Sequence, residues 1–210
     1  RVAFDFECSQ DEAYCGEKKA SLDPHKSHIV GVSFSVAEGD AIYVPLAHLV
    51  GENMKEQNAL WEFLRTDLFE NPNVVKIAHN LAFEAMFLYA KGIVVMPPCY
   101  DTIAAAQLTL KSPWEFRDLR DSGLKTLATG LFGAEMPSFS AVTAGRRFDE
   151  MDPTAYETLR YACADSDYTL RLYHKFNAWF GRYLPRHRVV VEELESPTAV
   201  YCGMMKYNGI

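Results

Sequence analysis

Several things are scarce in this chain, and each scarcity excludes a class of protein. No apolar run approaches the roughly 18 residues that a membrane-crossing helix needs, so no span is expected. Cysteine is sparse: Cys8, Cys15, Cys99, Cys163 and Cys202 are five in 210 residues, an odd number at irregular spacings. That pattern excludes a disulfide framework and fits a reducing, cytoplasmic setting. Cys8, Cys15, His25 and His28 share one polar stretch, but their spacing matches no common zinc finger, and a surface insertion is the simpler reading. Basic residues are outnumbered, with a net charge of −7. This argues against broad, salt-driven binding to duplex nucleic acid. It leaves room for chemistry on phosphates, because bound cations reverse the local sign of a carboxylate cluster. Gly and Pro are scattered, and we find no linker, repeat or low-complexity segment. There is no initiator Met and no leader-like segment. Arg1 stands directly before the strand-like run Val2-Ala3-Phe4-Asp5-Phe6, so we expect a piece of a longer polypeptide.

What is present is enough apolar material, 49% of residues, for one sizeable domain or one domain plus a short extension. Residues 1–7 read as a buried strand and 8–27 as a long polar loop. His28 to Ala37 and Ala41 to Leu46 are β-rich runs separated by the turn signal Glu38-Gly39-Asp40, which predicts an antiparallel meander. Leu60, Phe63, Leu64 and Leu68 recur at helical spacing within 53–69. A short strand over Val74 to Ala78, a helix over 80–91 and a last strand over Ile93 to Met96 follow. This alternation predicts parallel strands with crossover helices. Helices are expected at about 102–111, capped by Asp101, then 123–132, 153–180 with Pro153 in its first turn, and 186–207. The sum is an α/β fold, a mixed sheet of about five strands flanked by helices.

The candidate chemistry lies in carboxylates. Asp5 and Glu7 are two apart in a strand, so they share one face with Ala3 while Val2, Phe4 and Phe6 take the other. Two acids side by side in an apolar strand repel and lose solvation, costs that a cation offsets. The plain alternative is an edge strand with one wet face. Tyr161 and Asp165 are four apart in a strong helical pattern and share a face one turn apart. Aimed at the strand, that face adds a third carboxylate and a phenol. The plain alternative is a core Tyr and a solvated Asp. Asp167 points elsewhere and is expected to face solvent. Asn80 and Glu84 open a helix after a strand, where the helix dipole alone accounts for an acid. Lys125 reads as an exposed helix residue, and Arg146 and Arg147 as either a phosphate contact or a solvated pair.

These residues resemble a known set. Asp5-Phe6-Glu7, then His79-Asn80-Leu81-Ala82-Phe83-Glu84, then Tyr161-x-x-x-Asp165 are similar to the three exonuclease motifs of the DEDD superfamily, tyrosine branch. The intervening IVGVSFSVAEGDAIYVPLAH, Asp101-Thr102, LKTLATGLFG and YACADSDYTLRLY resemble the proofreading domain of family A DNA polymerases in order and spacing. VEELESPTAVYCGMMKYNGI resembles the helix leading from that domain into the polymerase. The resemblance implies an RNase H-like fold over 1–184, with 185–210 leading toward a polymerase domain of the same longer chain. It implies metal-dependent 3′→5′ removal of nucleotides from single-stranded DNA ends, in proofreading. Asp5, Glu7 and Asp165 would bind the tighter ion, and Asp5 with Glu84 the second. Oxygen-only ligands favour Mg²⁺ or Mn²⁺. Tyr161 would orient the attacking water, Leu22, Phe83 and Phe139 would pack around the terminal base and sugar, and Asn80 would help hold the site or substrate. Glu84 departs from the usual Asp, and the 8–21 insertion is additional. A weakened domain serving as a rigid platform for a polymerase is therefore the alternative, and an RNase D-like ribonuclease a third reading.

Overall fold

The computed structural model describes residues 1–110 and 121–210. Its five-stranded sheet has the order β3-β2-β1-β4-β5. The strands are β1 (Val2–Gln10), β2 (Ser27–Ala37), β3 (Asp40–Pro45), β4 (Lys76–Ala78) and β5 (Cys99–Asp101). β1, β2 and β3 pair antiparallel as the meander expected, and β4 and β5 add in parallel on the other side. β1 is therefore central, which removes the wet-edge explanation for its acids.

Helices cover both faces, in the RNase H-like α/β style. They are α1 (Gln57–Phe63, continuing as a wider turn over Leu64–Phe69), α2 (Leu81–Ala90), α3 (Thr102–Leu110), α4 (Leu124–Phe132), α5 (Phe139–Thr143), α6 (Tyr156–Tyr183), α7 (Pro185–Val190) and, after a wider turn over Val191–Glu195, α8 (Ser196–Tyr207). Period-two alternation in β1 sends Phe4 and Phe6 into a core with Phe69, Leu81, Phe87 and Val200. It sends Ala3 to the opposite core, with Ile77, Tyr100, Leu127 and Phe176. Asp5 and Glu7 share Ala3's face and meet α6. Among the described residues, no helix is long and apolar enough to cross a membrane, and all five cysteines are free.

Several sequence expectations shift. The last strand is Cys99–Asp101, not 93–96. Ile93 and Val95 are buried as pins of the first core, and a four-residue apolar run does not distinguish that role from a strand. Proline cannot donate to a ladder, and pairing begins just after Pro97-Pro98. α6 starts at Tyr156, so Pro153 lies in the preceding turn and not in the first helical turn. The helix expected over 53–69 starts at Gln57, the helix over 186–207 is interrupted by a wider turn, and the short α5 was not anticipated. Residue 111 of the helix expected over 102–111 lies outside the described residues.

β1 and β2 change register between Glu7↔Gly31 and Cys8↔Ile29, so Val30 is the extra residue of a bulge beside Glu7. Gly31 leaves the space through which Tyr43 crosses: a Cβ there would meet the Tyr43 hydroxyl at 2.0 Å.

Candidate active site

Three elements supply the acids. The central strand β1 carries Asp5 and Glu7. The long helix α6, whose apolar face packs Leu170, Phe176 and Phe180 into the second core, carries Tyr161 and Asp165 on neighbouring turns. The first turn of α2 carries Glu84. One carboxylate oxygen from each of Asp5, Glu7 and Asp165 lies within 4.8 Å of the others, and among the described residues this is the group able to hold a metal ion. Cys8, Cys15, His25 and His28 form no such group. His25 Nε2 meets the Tyr207 carbonyl at 2.8 Å and His28 Nδ1 meets Asp11 at 2.7 Å.

Burial makes these acids costly, Glu7 and Asp165 most of all, with Asp5 half-buried between them. Glu7 is 6% exposed and Asp165 9%, and Glu7 Oε1, Asp165 Oδ1 and Glu84 Oε2 are buried with no hydrogen-bond partner. Buried polar atoms are nearly always paired, so unpartnered carboxylate oxygens converging from separate elements fit a cation as their common partner. The charged forms are disfavoured accordingly. Desolvation, and then the charge of Asp165, raise Asp5 well above the usual carboxylate range. Desolvation, then Asp5 and Asp165, do the same to Glu7. Desolvation pushes Asp165 up to about 7 against the opposing pull of Lys125.

Glu84 stands outside this tight group. Desolvation, then Asp5 and Glu7, nevertheless raise its carboxyl, with the Phe6 backbone opposing. It is thus an electrostatic neighbour of β1, buried to 2% exposure. Its carrier α2 starts after Asn80, which adopts a left-handed conformation at φ 76°.

Tyr161 packs edge-on to Phe139, with centroids 6.1 Å apart, and against Phe148 at 5.8 Å. Desolvation and the nearby acids hold its phenol proton on. Phe139 is 44% exposed and Leu22 52%, so both are apolar residues open to solvent. Phe83 is half-buried and leans on Phe87, with centroids 4.9 Å apart.

The sequence reading misplaced two residues. Asp167 does not face solvent freely: its Oδ1 accepts the Gly39 N–H at 2.7 Å and its Oδ2 pairs with Arg171 at 3.0 Å. It clamps α6 to the β2–β3 turn. Lys125 is not a plain exposed residue. Its Nζ donates to the Pro137 carbonyl at 2.6 Å and sits 4.6 Å from the Tyr161 ring. There it opposes the raised pKa values of Asp5, Glu7 and Asp165. No sequence signal marked this role, since a Lys in the first turn of α4 reads as solvated. Of the basic pair, Arg147 is committed to Asp149 at 3.0 Å, while Arg146 is exposed with its Nε on the Thr143 carbonyl.

A family model described as 3′-5′ exonuclease, from the DNA polymerase A class, matches residues 1–179. The chain belongs to this 3′-5′ exonuclease family. The DNA polymerase I of Pseudomonas aeruginosa is 29% identical over 196 residues, covering 90% of this chain and 20% of the relative. That of Chloroflexus aurantiacus is 31% identical over 176 residues, covering 81% of this chain and 16% of the relative. This exonuclease chain thus spans a fifth or less of the length of these polymerases. Among solved structures, Brucella melitensis NrnC with bound Mg²⁺ aligns with a TM-score of 0.66 at 19% identity, covering 100% of this chain and 87% of NrnC. The catalytic core of RRP6 from Trypanosoma brucei aligns with a TM-score of 0.64 at 16% identity, covering 95% and 46%. At such identities the likeness is one of fold. The chain is a hydrolytic exonuclease by family.

Proposed function

We propose that this domain is a divalent-metal-dependent 3′→5′ exodeoxyribonuclease that trims single-stranded DNA ends, as the proofreading part of a longer, cytoplasmic DNA polymerase chain. The observation that carries the proposal is the convergence of Asp5, Glu7 and Asp165 within 4.8 Å, with a buried, unpartnered oxygen on each of Glu7 and Asp165. Asp5, Glu7 and Asp165 would hold one ion, and Asp5 with Glu84 a second. Mg²⁺ or Mn²⁺ there would supply Lewis-acid activation of water and charge neutralisation at the departing oxygen.

The chain's own residues do the rest. Tyr161 keeps its proton, because desolvation and the nearby acids disfavour the phenolate, and it orients water by hydrogen bonding. Lys125 places a positive charge over Tyr161, where a scissile phosphate would be held. Leu22, Phe83 and Phe139 offer apolar surface to an unstacked terminal base, and Asn80 stands at the mouth of α2. Stacking on aromatic side chains is tolerant of sequence and adds roughly 1–3 kcal/mol per base. Water adds to phosphorus and the P–O3′ bond breaks. The shortened strand keeps a 3′-hydroxyl, and a nucleoside 5′-monophosphate leaves. Residues 1–184 form the nuclease unit in this reading, and 185–210 lead toward the polymerase.

One observation favours a second reading. Glu84 lies outside the tight group of acids, so the second ion would be weakly held and the domain would serve chiefly as a platform. The deciding assay incubates the chain with 5′-labelled single-stranded DNA and with matching RNA, in Mg²⁺, Mn²⁺ or chelator. Stepwise, metal-dependent shortening of DNA is expected. No shortening, with none gained on Glu84→Asp, would establish the platform reading, and a preference for RNA would make the domain RNase D-like.

A further inference from the structure

Glu84 differs from the other acids in how it is held. Asp5 and Glu7 are fixed by a central strand and Asp165 by the middle of a 28-residue helix. Glu84 sits in the first turn of a 10-residue helix, so its direction depends on where that helix begins. One residue of slip or fraying at the start turns a helical side chain by about 100°. The start is also strained: Asn80 adopts the left-handed conformation at φ 76°, and its own side chain makes no cap. Such a conformation is less favoured than the right-handed one and persists where the surroundings hold it.

Among those surroundings, one side chain bonds the backbone of the helix start directly. Asp101, 5% exposed at the end of β5, accepts the Asn80 N–H on Oδ1 and the Leu81 N–H on Oδ2, each at 3.1 Å. Oδ1 also accepts the Ile103 N–H at 2.9 Å. A single carboxylate therefore caps two helices, α3 that follows it and α2 that comes 20 residues earlier. Asp101 is anchored in turn from the C-terminal helix. Its backbone N–H donates to Ser196 Oγ at 2.8 Å, and Ser196 is fully buried at the start of α8. Two turns along the same helix, Gly203 presses on α2 so closely that a Cβ there would lie 2.4 Å from the Ala82 carbonyl oxygen. α8 thus grips the strand end that caps α2 at one point and the body of α2 at another.

We propose that Asp101, anchored by Ser196, is a positioning residue for Glu84: it sets the start of α2 and with it the direction of the Glu84 side chain, and α8 is thereby part of the support of the second ion site. The proposal rests on the two-ion reading above. The Asp5–Glu7–Asp165 site does not depend on Asp101, because neither of its two carriers, β1 and α6, is capped by it.

The test is Mn²⁺ binding, followed by calorimetry and by electron paramagnetic resonance, on wild type, Asp101→Asn, Ser196→Ala and Thr102→Val. Asp101→Asn keeps one acceptor oxygen and replaces the other with an NH₂ group that cannot accept. It is expected to retain the tighter ion and to weaken the second about tenfold. The Mg²⁺ concentration for half-maximal activity should rise similarly, with the KM for single-stranded DNA unchanged. Ser196→Ala should do the same to a smaller degree, and it provides the readout if Asp101→Asn does not fold. Thr102→Val removes a neighbouring buried hydroxyl that bonds the Ala78 carbonyl and His79. It should lower Tm and leave both ions bound. Wild-type affinity for both ions in folded Asp101→Asn, or equal weakening of both, would overturn the proposal. If wild type binds one ion only, the two-ion reading fails with it, and that failure is seen before any variant is made.

Discussion

At the scale of single residues, the site is defined by how badly three carboxylates fit one another without a cation. Asp165, with its carboxyl pushed up to about 7 by desolvation, gives the sign of the pH dependence. Its folded pKa exceeds the unfolded value of about 3.9. The metal-free protein therefore keeps this group's stability below about pH 4 and loses it as pH rises through about 7. Mg²⁺ needs the ionised acids, so it should restore stability progressively over the same range. Thermal melts from pH 4 to 8 with and without Mg²⁺ should diverge upward, and parallel curves would count against the cation site. Asp5→Ala is expected to abolish nuclease activity, with retention of half or more removing Asp5 from the site. Lys125→Ala deletes the cation that opposes the raised acids. Its activity should fall roughly tenfold near pH 6 and less near pH 8, as the acids ionise later. A pH profile of unchanged shape would reduce Lys125 to a packing residue.

Individual elements carry a different kind of information. The bulge in β2 and the missing side chain at Gly31 let Tyr43 cross opposite Glu7, and Tyr43 in turn bonds His48 Nε2 at 2.8 Å. Gly31→Ala should cost about 1–3 kcal/mol by overpacking, read as a lower midpoint of urea unfolding at constant slope. The strand-and-helix grammar was legible in sequence wherever a period was sustained. β2 and α6 fall within a few residues of expectation because alternation and 3.6-residue repeats persist through them. Ile93 to Met96 was not legible, because four apolar residues serve equally as a strand or as pegs in a core. The role of Lys125 was not legible either, since a Lys in a first helical turn looks solvated until Pro137 and Tyr161 are seen to enclose it.

For the whole molecule, the acidic balance matters more than any one contact. A net charge of −7 leaves little to gain from counterion release on duplex DNA. Binding to duplex should be weak, with a log–log salt slope shallower than about −3. Binding to single strands should depend on divalent cation, and filter binding across a salt series with and without Mg²⁺ measures both. A steep slope on duplex would point to a basic surface that the charge count does not suggest. The sequence alone determined the identity and order of the acids, their shared faces at periods of two and 3.6, and the sheet that carries them. Those follow from local geometry, which repeats along the chain. Only the tertiary structure decided that Asp165 meets Asp5 and Glu7 while Glu84 stands apart, and that Asp101 and α8 hold the start of α2. Those distances are set by packing between elements far apart in sequence, where a shift of one residue redirects a carboxylate.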